Sequence, residues 1–185
     1  KDINNTQKIF NHRSKMNGLS TFAKWSMDLE KQLTAWLKLK RYIYLISPQK
    51  IGSLKFYQNL NKVLKTNKVK YFQLRLKKTP NLNLLKISRK IKKIVKKNNV
   101  KFIINDKPAI AKLVNADGCH IGQKDIDLID ARKIIGKNKI IGVTCHNSKK
   151  LAIKAKKDGA NYVAFGSFFK SSTKKTTFKA NLEIL

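Results

Sequence analysis

Two cations and an amide share one side of the segment YFQLRLKK, residues 71–78. Residues two apart on an extended strand point the same way. Gln73, Arg75 and Lys77 would therefore line one face, from mid-strand to strand end, against the apolar Phe72 and Leu74. Other groups able to do chemistry follow at intervals: Asn105 and Asp106, then His120 with Gln123 and Asp125, then Thr144, Cys145 and His146, then the run GSFFKSSTKK at 166–175. Arginine, lysine and hydroxyl groups suit phosphate oxygens. Carboxylates with few nitrogen or sulfur neighbours suit Mg2+, a hard cation that keeps waters and shares phosphate oxygens. Together these groups describe a site for a diphosphate carried with Mg2+.

Each group also has a plainer reading. Arg75 and Lys77 could be solvated cations of an edge strand. Asp106 and Asp125 both precede helical patterns and would serve equally as N-caps. His120 and His146 lack a third nitrogen or thiolate partner, so they read as hydrogen-bonded structural histidines rather than metal ligands. Gly118, Gly122, Gly142 and Gly166 fit close packing and tight turns.

The elements that must hold these groups form a regular alternation starting at residue 41. Strand patterns run over 41–47, 69–76, 100–105, 117–122, 139–145 and 161–167. Helical patterns run over 53–66, 83–98, 107–115, 127–136 and 148–159, and ANLEIL at 180–185 opens another. Strict alternation with short connections implies parallel strands. It leaves two α/β architectures, a (β/α)8 TIM barrel and a doubly wound sheet. Neither GxGxxG nor GxxxxGK[ST] follows the first strand, which argues against the nucleotide-binding sheets. The polar groups gather at the C-terminal ends of several strands, where parallel α/β folds build their sites.

Five motifs in order carry a family resemblance. QLRLK (73–77) resembles QLRxK, and IIND (103–106) matches a strand-three Asn-Asp. NADGCHIGQKD (115–125) is close to ADGxHxGQxD, and IGVTCH (141–146) resembles IGVSxH. GANYVAFGSFFKSSTKK (159–175) resembles GADYVxFGPxFxTxTKK. Over residues 41–185 the chain thus resembles the family of thiamine-phosphate synthases and thiazole tautomerases. The resemblance implies a (β/α)8 barrel with about six of its eight units in residues 40–185; the helical spacing of apolar residues from Leu19 to Leu37 adds an N-terminal helical extension over 1–39. It implies Mg2+-dependent condensation of hydroxymethylpyrimidine diphosphate with thiazole phosphate, giving thiamine phosphate and pyrophosphate. Gln73, Leu74, Arg75, Leu76 and Lys77, with Asn105, Thr144 and Lys174, would hold the pyrimidine diphosphate. Ser171, Ser172 and Thr173 would cradle the thiazole phosphate, and Asp106 and Asp125 would bind Mg2+. No residue is expected to act as a general acid or base.

The chain departs from the family pattern at several points. Thr144 stands for serine and Ser171 for threonine, each keeping the hydroxyl. Ser167 and Lys170 replace prolines, and Leu76 replaces a usually acidic or polar residue. The sequence stops before the family's seventh strand with its Gly-rich phosphate loop. The expectation is therefore an incomplete thiazole-phosphate site, two open strand edges and little or no synthase turnover. A fragment, a decayed gene and a barrel completed by a second chain all fit. Two alternatives to the synthase are a tautomerase on the same fold and an inactive barrel fragment that binds polyanions.

The 185 residues suffice for one domain with a sizeable core, and 42% are hydrophobic. No stretch reaches the roughly 18 consecutive apolar residues of a membrane helix. The opening KDINNTQKIFNHRSKMNG lacks the apolar run of a signal peptide. Cys119 and Cys145 have no metal-ligand spacing and are expected to be reduced and packed, as in a cytoplasmic protein. The net charge of +32 would suit nucleic acid. Yet lysine, asparagine and isoleucine are all abundant and evenly spread, the pattern of compositional drift. Around RKIKKIVKKNN (89–99), Ile87, Ile91, Ile94 and Val95 mark the apolar stripe of a surface helix with a solvated lysine face. Small phosphorylated substrates, not nucleic acid, are the expected partners, and a homo-oligomer stays open. Leu19, Phe22, Trp25, Met27, Leu29, Leu33, Trp36 and Leu37 predict an amphipathic helix over about 20–38, packed on the following domain or serving a membrane surface or a dimer.

Overall fold

The computed structural model describes residues 42–169 and 179–185. The helix expected over 20–38 lies outside the described residues. Six strands alternate with five helices: β1 (Ile43–Ile46), α1 (Leu54–Leu64), β2 (Val69–Leu74), α2 (Asn81–Lys97), β3 (Lys101–Asn105), α3 (Pro108–Leu113), β4 (Gly118–Ile121), α4 (Leu128–Ile135), β5 (Ile140–His146), α5 (Lys149–Lys157) and β6 (Tyr162–Phe165). The sequence periodicities locate every one of these elements to within a few residues. Two differences matter. Strand β2 ends at Leu74, so Arg75 and Lys77 leave the strand and enter the turn. ANLEIL forms a single 3-10 turn, Leu182–Ile184.

All six strands are parallel and pair in the order β1-β2-β3-β4-β5-β6. A doubly wound sheet reverses its strand order at a switch point. Here each strand pairs with its neighbour in the chain, so the sheet is a half-barrel. Strand β2 is internal, which removes the reading of Arg75 and Lys77 as edge cations.

The pleat sorts side chains to two faces. On the outer face Phe72, Leu74, Phe102, Ile104, Cys119, Ile121, Ile141, Val143 and Cys145 are buried in one core with the helices. Helix α2 supplies Leu84, Ser88, Ile91 and Val95, a stripe at helical spacing, while Lys86, Lys90, Lys93, Lys96 and Lys97 stay exposed. The charge of α2 thus lies on its solvated face and leaves the packing intact. Both cysteines are free and buried, and burial pushes the Cys119 thiol up to about 12. The inner face carries Tyr44, Tyr71, Gln73, Ile103, Asn105, His120, Gly142, Thr144 and Tyr162, matched across the ladder by the register.

The end of the sheet where the strands begin is clamped by side chains. Arg132 of α4 donates to the carbonyls of Gly136 (3.2 Å), Gly159 (3.0 Å) and Lys139, and to Asn161 Oδ1 (2.9 Å). Asn161 Oδ1 also accepts from Ile141 N–H at 2.8 Å, tying the start of β6 to β5. Asp117 accepts from Phe102 N–H at 2.9 Å and pairs with Lys101 at 3.1 Å. Among the described residues no helix is long and apolar enough to cross a membrane.

The Phe72 ring is 1% exposed and stacks on Phe102 with centroids 6.4 Å apart. Phe72→Ala should lower the unfolding free energy by about 3–5 kcal/mol. Asp127→Ala, which removes the side-chain cap of α4, should cost only about 1 kcal/mol. Urea titration of both variants measures the difference, and equal losses would contradict the core assignment.

Candidate functional site

The polar groups converge where the strands end. Gln73 of β2 and Asn105 of β3 are both buried on the inner face, and Gln73 Nε2 donates to Asn105 Oδ1 at 2.9 Å. One residue on, Asp106 turns the chain with φ +60, a left-handed conformation that Asp tolerates better than most residues. Its N–H donates to the His120 carbonyl at 2.8 Å, locking the turn onto β4. The Asp106 carboxylate then lies at the mouth of the half-barrel. Lys77 Nζ is 3.1 Å from it, and the Asp125 carboxyl lies close enough to act on its charge. Burial, followed by the Asp125 carboxyl, holds the Asp106 carboxyl above the usual range, and Lys77 opposes them. Two neighbouring carboxyls, with Asp106 raised, mark a place where a cation would be favoured.

The structure also decides the capping question. Helix α4 is capped by Asp127, which accepts from Ile129 N–H at 2.9 Å. The cap position of α3 is Lys107. Neither Asp106 nor Asp125 caps a helix. Asp125 instead accepts from Gly122 N–H at 2.7 Å in the loop after β4. The donor set fits Mg2+, which takes one or two carboxylates and completes its shell with water and phosphate oxygens. Among the described residues there is no cluster of three or more His, Cys, Asp or Glu that could hold a metal without such added ligands.

The remaining candidates divide. Arg75 is half-buried, and its N–H donates to Ser47 Oγ at 2.9 Å, joining the ends of β1 and β2. Leu74 and Leu76 are core residues, 1% and 6% exposed, so only their backbone is available to a ligand. Thr144 of β5 faces inward, and its carbonyl accepts from Gln123 Nε2 at 2.6 Å. Ser171, Ser172, Thr173 and Lys174 lie outside the described residues.

Beneath the mouth runs a string of hydrogen bonds that the sequence did not reveal as a unit. His120 Nε2 and Thr144 Oγ1 are 2.8 Å apart, and His120 Nδ1 and the Tyr162 hydroxyl 3.0 Å. The hydroxyls of Tyr162 and Tyr44 are 2.5 Å apart. Burial lowers the His120 imidazole to about 4 and pushes the Tyr44 phenol up to about 12. Tyr162 is pushed up as well, again chiefly by burial. All three groups are neutral at physiological pH. His120 is hydrogen-bonded, as read from the sequence. Tyr44 and Tyr162 were missed because YIYLI and NYVAF read as uniformly apolar strands.

A parallel α/β half-barrel with strands in chain order, bearing its polar groups at the strand ends, has the architecture of a barrel enzyme. The family model described as thiamine monophosphate synthase matches residues 43–185. A thiamine-phosphate synthase of Pelagibacter ubique is 60% identical over 146 residues, which is 79% of this chain and 70% of that protein. One from Rhodospirillum centenum is 40% identical over 143 residues, 77% of this chain and 69% of that protein. The solved thiamine phosphate pyrophosphorylase of Pyrococcus furiosus is similar at a TM-score of 0.63 and 26% identity, covering 74% of this chain and 65% of that one. The chain belongs to the thiamine monophosphate synthase family. Its role is that of a transferase in thiamine biosynthesis.

The lowered His120 imidazole has a consequence for stability. The folded state resists protonation that the unfolded chain accepts near the ordinary imidazole value of 6.5. Stability is therefore fully present above that pH and is lost as pH falls through the folded value of about 4. The loss over this window should be about 3 kcal/mol. In denaturant titrations at pH 7 and pH 4, His120→Gln should show a pH dependence smaller by about that amount. An unchanged dependence would mean that His120 is not held neutral.

Proposed function

We propose that this chain joins hydroxymethylpyrimidine diphosphate to hydroxyethylthiazole phosphate, forming thiamine phosphate and releasing pyrophosphate. The observation that carries the reading is the convergence of Lys77, Asp106 and Asp125 just beyond the buried Gln73–Asn105 pair. Gln73 and Asn105 face the interior and offer amide groups to a heteroaromatic ring. Arg75 and Lys77 stand at the mouth, where they would meet the two phosphates. Thr144 and Lys174 complete the diphosphate contacts, and Ser171, Ser172 and Thr173 hold the thiazole phosphate. The last four assignments rest on the motif GSFFKSSTKK and its relation to the family pattern. Asp106 and Asp125 would hold Mg2+, which when bound shares the charge of the departing pyrophosphate. The sequential strand order supports a closed eight-stranded barrel as the complete architecture, and the reaction is assigned to the cytoplasm.

The chemistry asks for charge neutralisation and alignment more than proton transfer. The pyrimidine carbon can release pyrophosphate as a ring-stabilised cation, and the thiazole nitrogen then bonds to it. Arg75 and Lys77 neutralise charge on the leaving group as the carbon–oxygen bond breaks. Lys77 is paired with Asp106 at 3.1 Å, so it exchanges a carboxylate for a phosphate as the diphosphate enters. Holding both reactants in contact supplies the entropic part of the acceleration. His120 suits a site without a general base, since it is neutral and both its ring nitrogens are engaged. A tautomerase would need neither the cations at the mouth nor the paired carboxyls, which is why the synthase reading is preferred.

Pyrophosphate release that requires both substrates and Mg2+ tests the reaction directly. Arg75→Ala and Lys77→Ala should each weaken pyrimidine diphosphate binding by about 1.5–3 kcal/mol, measured by calorimetry. Unchanged affinity in both would sink the clamp. Asp125→Asn should weaken the Mg2+ dependence of substrate binding and leave the melting temperature nearly unchanged, because Asp127 is the residue that caps α4. A large melting shift with intact Mg2+ dependence would reverse that assignment.

A further inference from the structure

Gly142 lies on the inner face of β5, opposite His120 of β4 and Tyr162 of β6. A Cβ at this position would come within 2.0 Å of Tyr162 Cζ, 2.3 Å of its hydroxyl oxygen and 2.4 Å of Cε2. The Tyr162 ring thus occupies the space into which any side chain at 142 would project. Only because it lies there does its hydroxyl reach past β5 to His120 Nδ1, with the two rings 5.6 Å apart and 28° from parallel. The same hydroxyl meets that of Tyr44, 118 residues away on the opposite side of the sheet. The open interior between the first and last strands is therefore spanned by two phenols.

We propose that Gly142 is a positioning residue: it seats the Tyr162 ring so that Tyr44, Tyr162 and His120 form a directed hydrogen-bond string whose last member, Thr144, is turned into a donor towards the diphosphate. The direction follows from counting protons. A neutral imidazole has one donor and one acceptor nitrogen. A hydroxyl facing an anion must give its proton to that anion. Thr144 then has to accept, and the group within reach is His120 Nε2 at 2.8 Å. With Nε2 carrying the proton, Nδ1 must accept, and Tyr162 donates to it. Tyr162 in turn accepts from Tyr44. Every hydroxyl in the string donates once, and the free donor emerges at Thr144. With the Tyr162 hydroxyl removed, Nδ1 loses its donor, the other tautomer becomes competitive, and Thr144 is drawn into donating to the ring instead of the anion.

This inference rests on the reading of Thr144 as a diphosphate contact, and the test separates the two. Thermal melting decides the seat. Gly142→Ala should lower the melting temperature in the presence of Tyr162 and do so much less in a Tyr162→Ala background, where the clash is gone. Equal lowering in both backgrounds overturns the proposal. Tyr162→Phe keeps the ring and the fold. It should weaken binding of pyrimidine diphosphate with Mg2+ by about tenfold, the range of one hydrogen bond to a charged group. In a Thr144→Val background the same substitution should have no further effect. A full loss there overturns the string. Nitrogen NMR of the His120 ring in the liganded protein should show the proton on Nε2, and shared or reversed occupancy in Tyr162→Phe. A proton on Nδ1 in the parent protein overturns the direction. If Thr144→Val leaves affinity unchanged, the substrate reading of Thr144 fails, while the melting cycle and the ring tautomer still decide the seat and the direction.

Discussion

Every feature of the mouth depends on the apolar layer sealed between the outer face of the sheet and its helices. Phe72, Phe102, Ile104, Cys119 and Ile141 are essentially inaccessible there. Their burial is the main favourable term in folding. It also fixes which way each strand faces. A strand has only two faces, so once alternate residues are committed outward the others must point into the half-barrel. Gln73, Asn105, His120 and Thr144 are gathered inside because their neighbours 72, 104, 119 and 143 are claimed by the core. A one-residue slip in any strand would send its polar group into the apolar layer, where an unpartnered amide or imidazole is expensive.

The electrostatics of the site stand out against the composition. The chain has 42 lysines and arginines and only 10 acidic residues. A cation at a strand end is therefore unremarkable by itself, whereas two neighbouring carboxyls are not. Asp106 and Asp125 are brought together by a left-handed turn and by the Gly122 amide. Neither serves the helix that follows it. Burial and the neighbouring carboxyl both work against a charged Asp106, and Lys77 opposes them, the kind of perturbed titratable group that functional sites commonly hold.

The two ends of the sheet are held in different ways. At the end where strands begin, Arg132, Asp117 and Asn161 make short-range clamps to backbone groups. At the other end the side chains hold one another: Lys77 with Asp106, Gln73 with Asn105, His120 with Thr144 and Tyr162. The mouth also carries backbone bonds, from Arg75 N–H to Ser47 Oγ and from Gly122 N–H to Asp125, so its loops are tied down as well as its side chains.

The alternation of strands and helices, the solvated lysine faces, the buried thiols and the family are all written in short-range periodicity or in contiguous motifs, and so could be read before any fold was known. The Asn-Asp pair and the run from Gln73 to Lys77 were legible for the same reason. The rest needs the fold. That Leu74 faces the core and that β2 is internal follow from pleat direction and strand order, and which of two nearby aspartates caps α4 is set by the exact residue at which the helix starts. The hydrogen bond between Tyr44 and Tyr162 joins residues 118 apart in the chain. No local pattern can report such a contact, since it forms only when six strands in register have curled far enough to bring the first and last within reach.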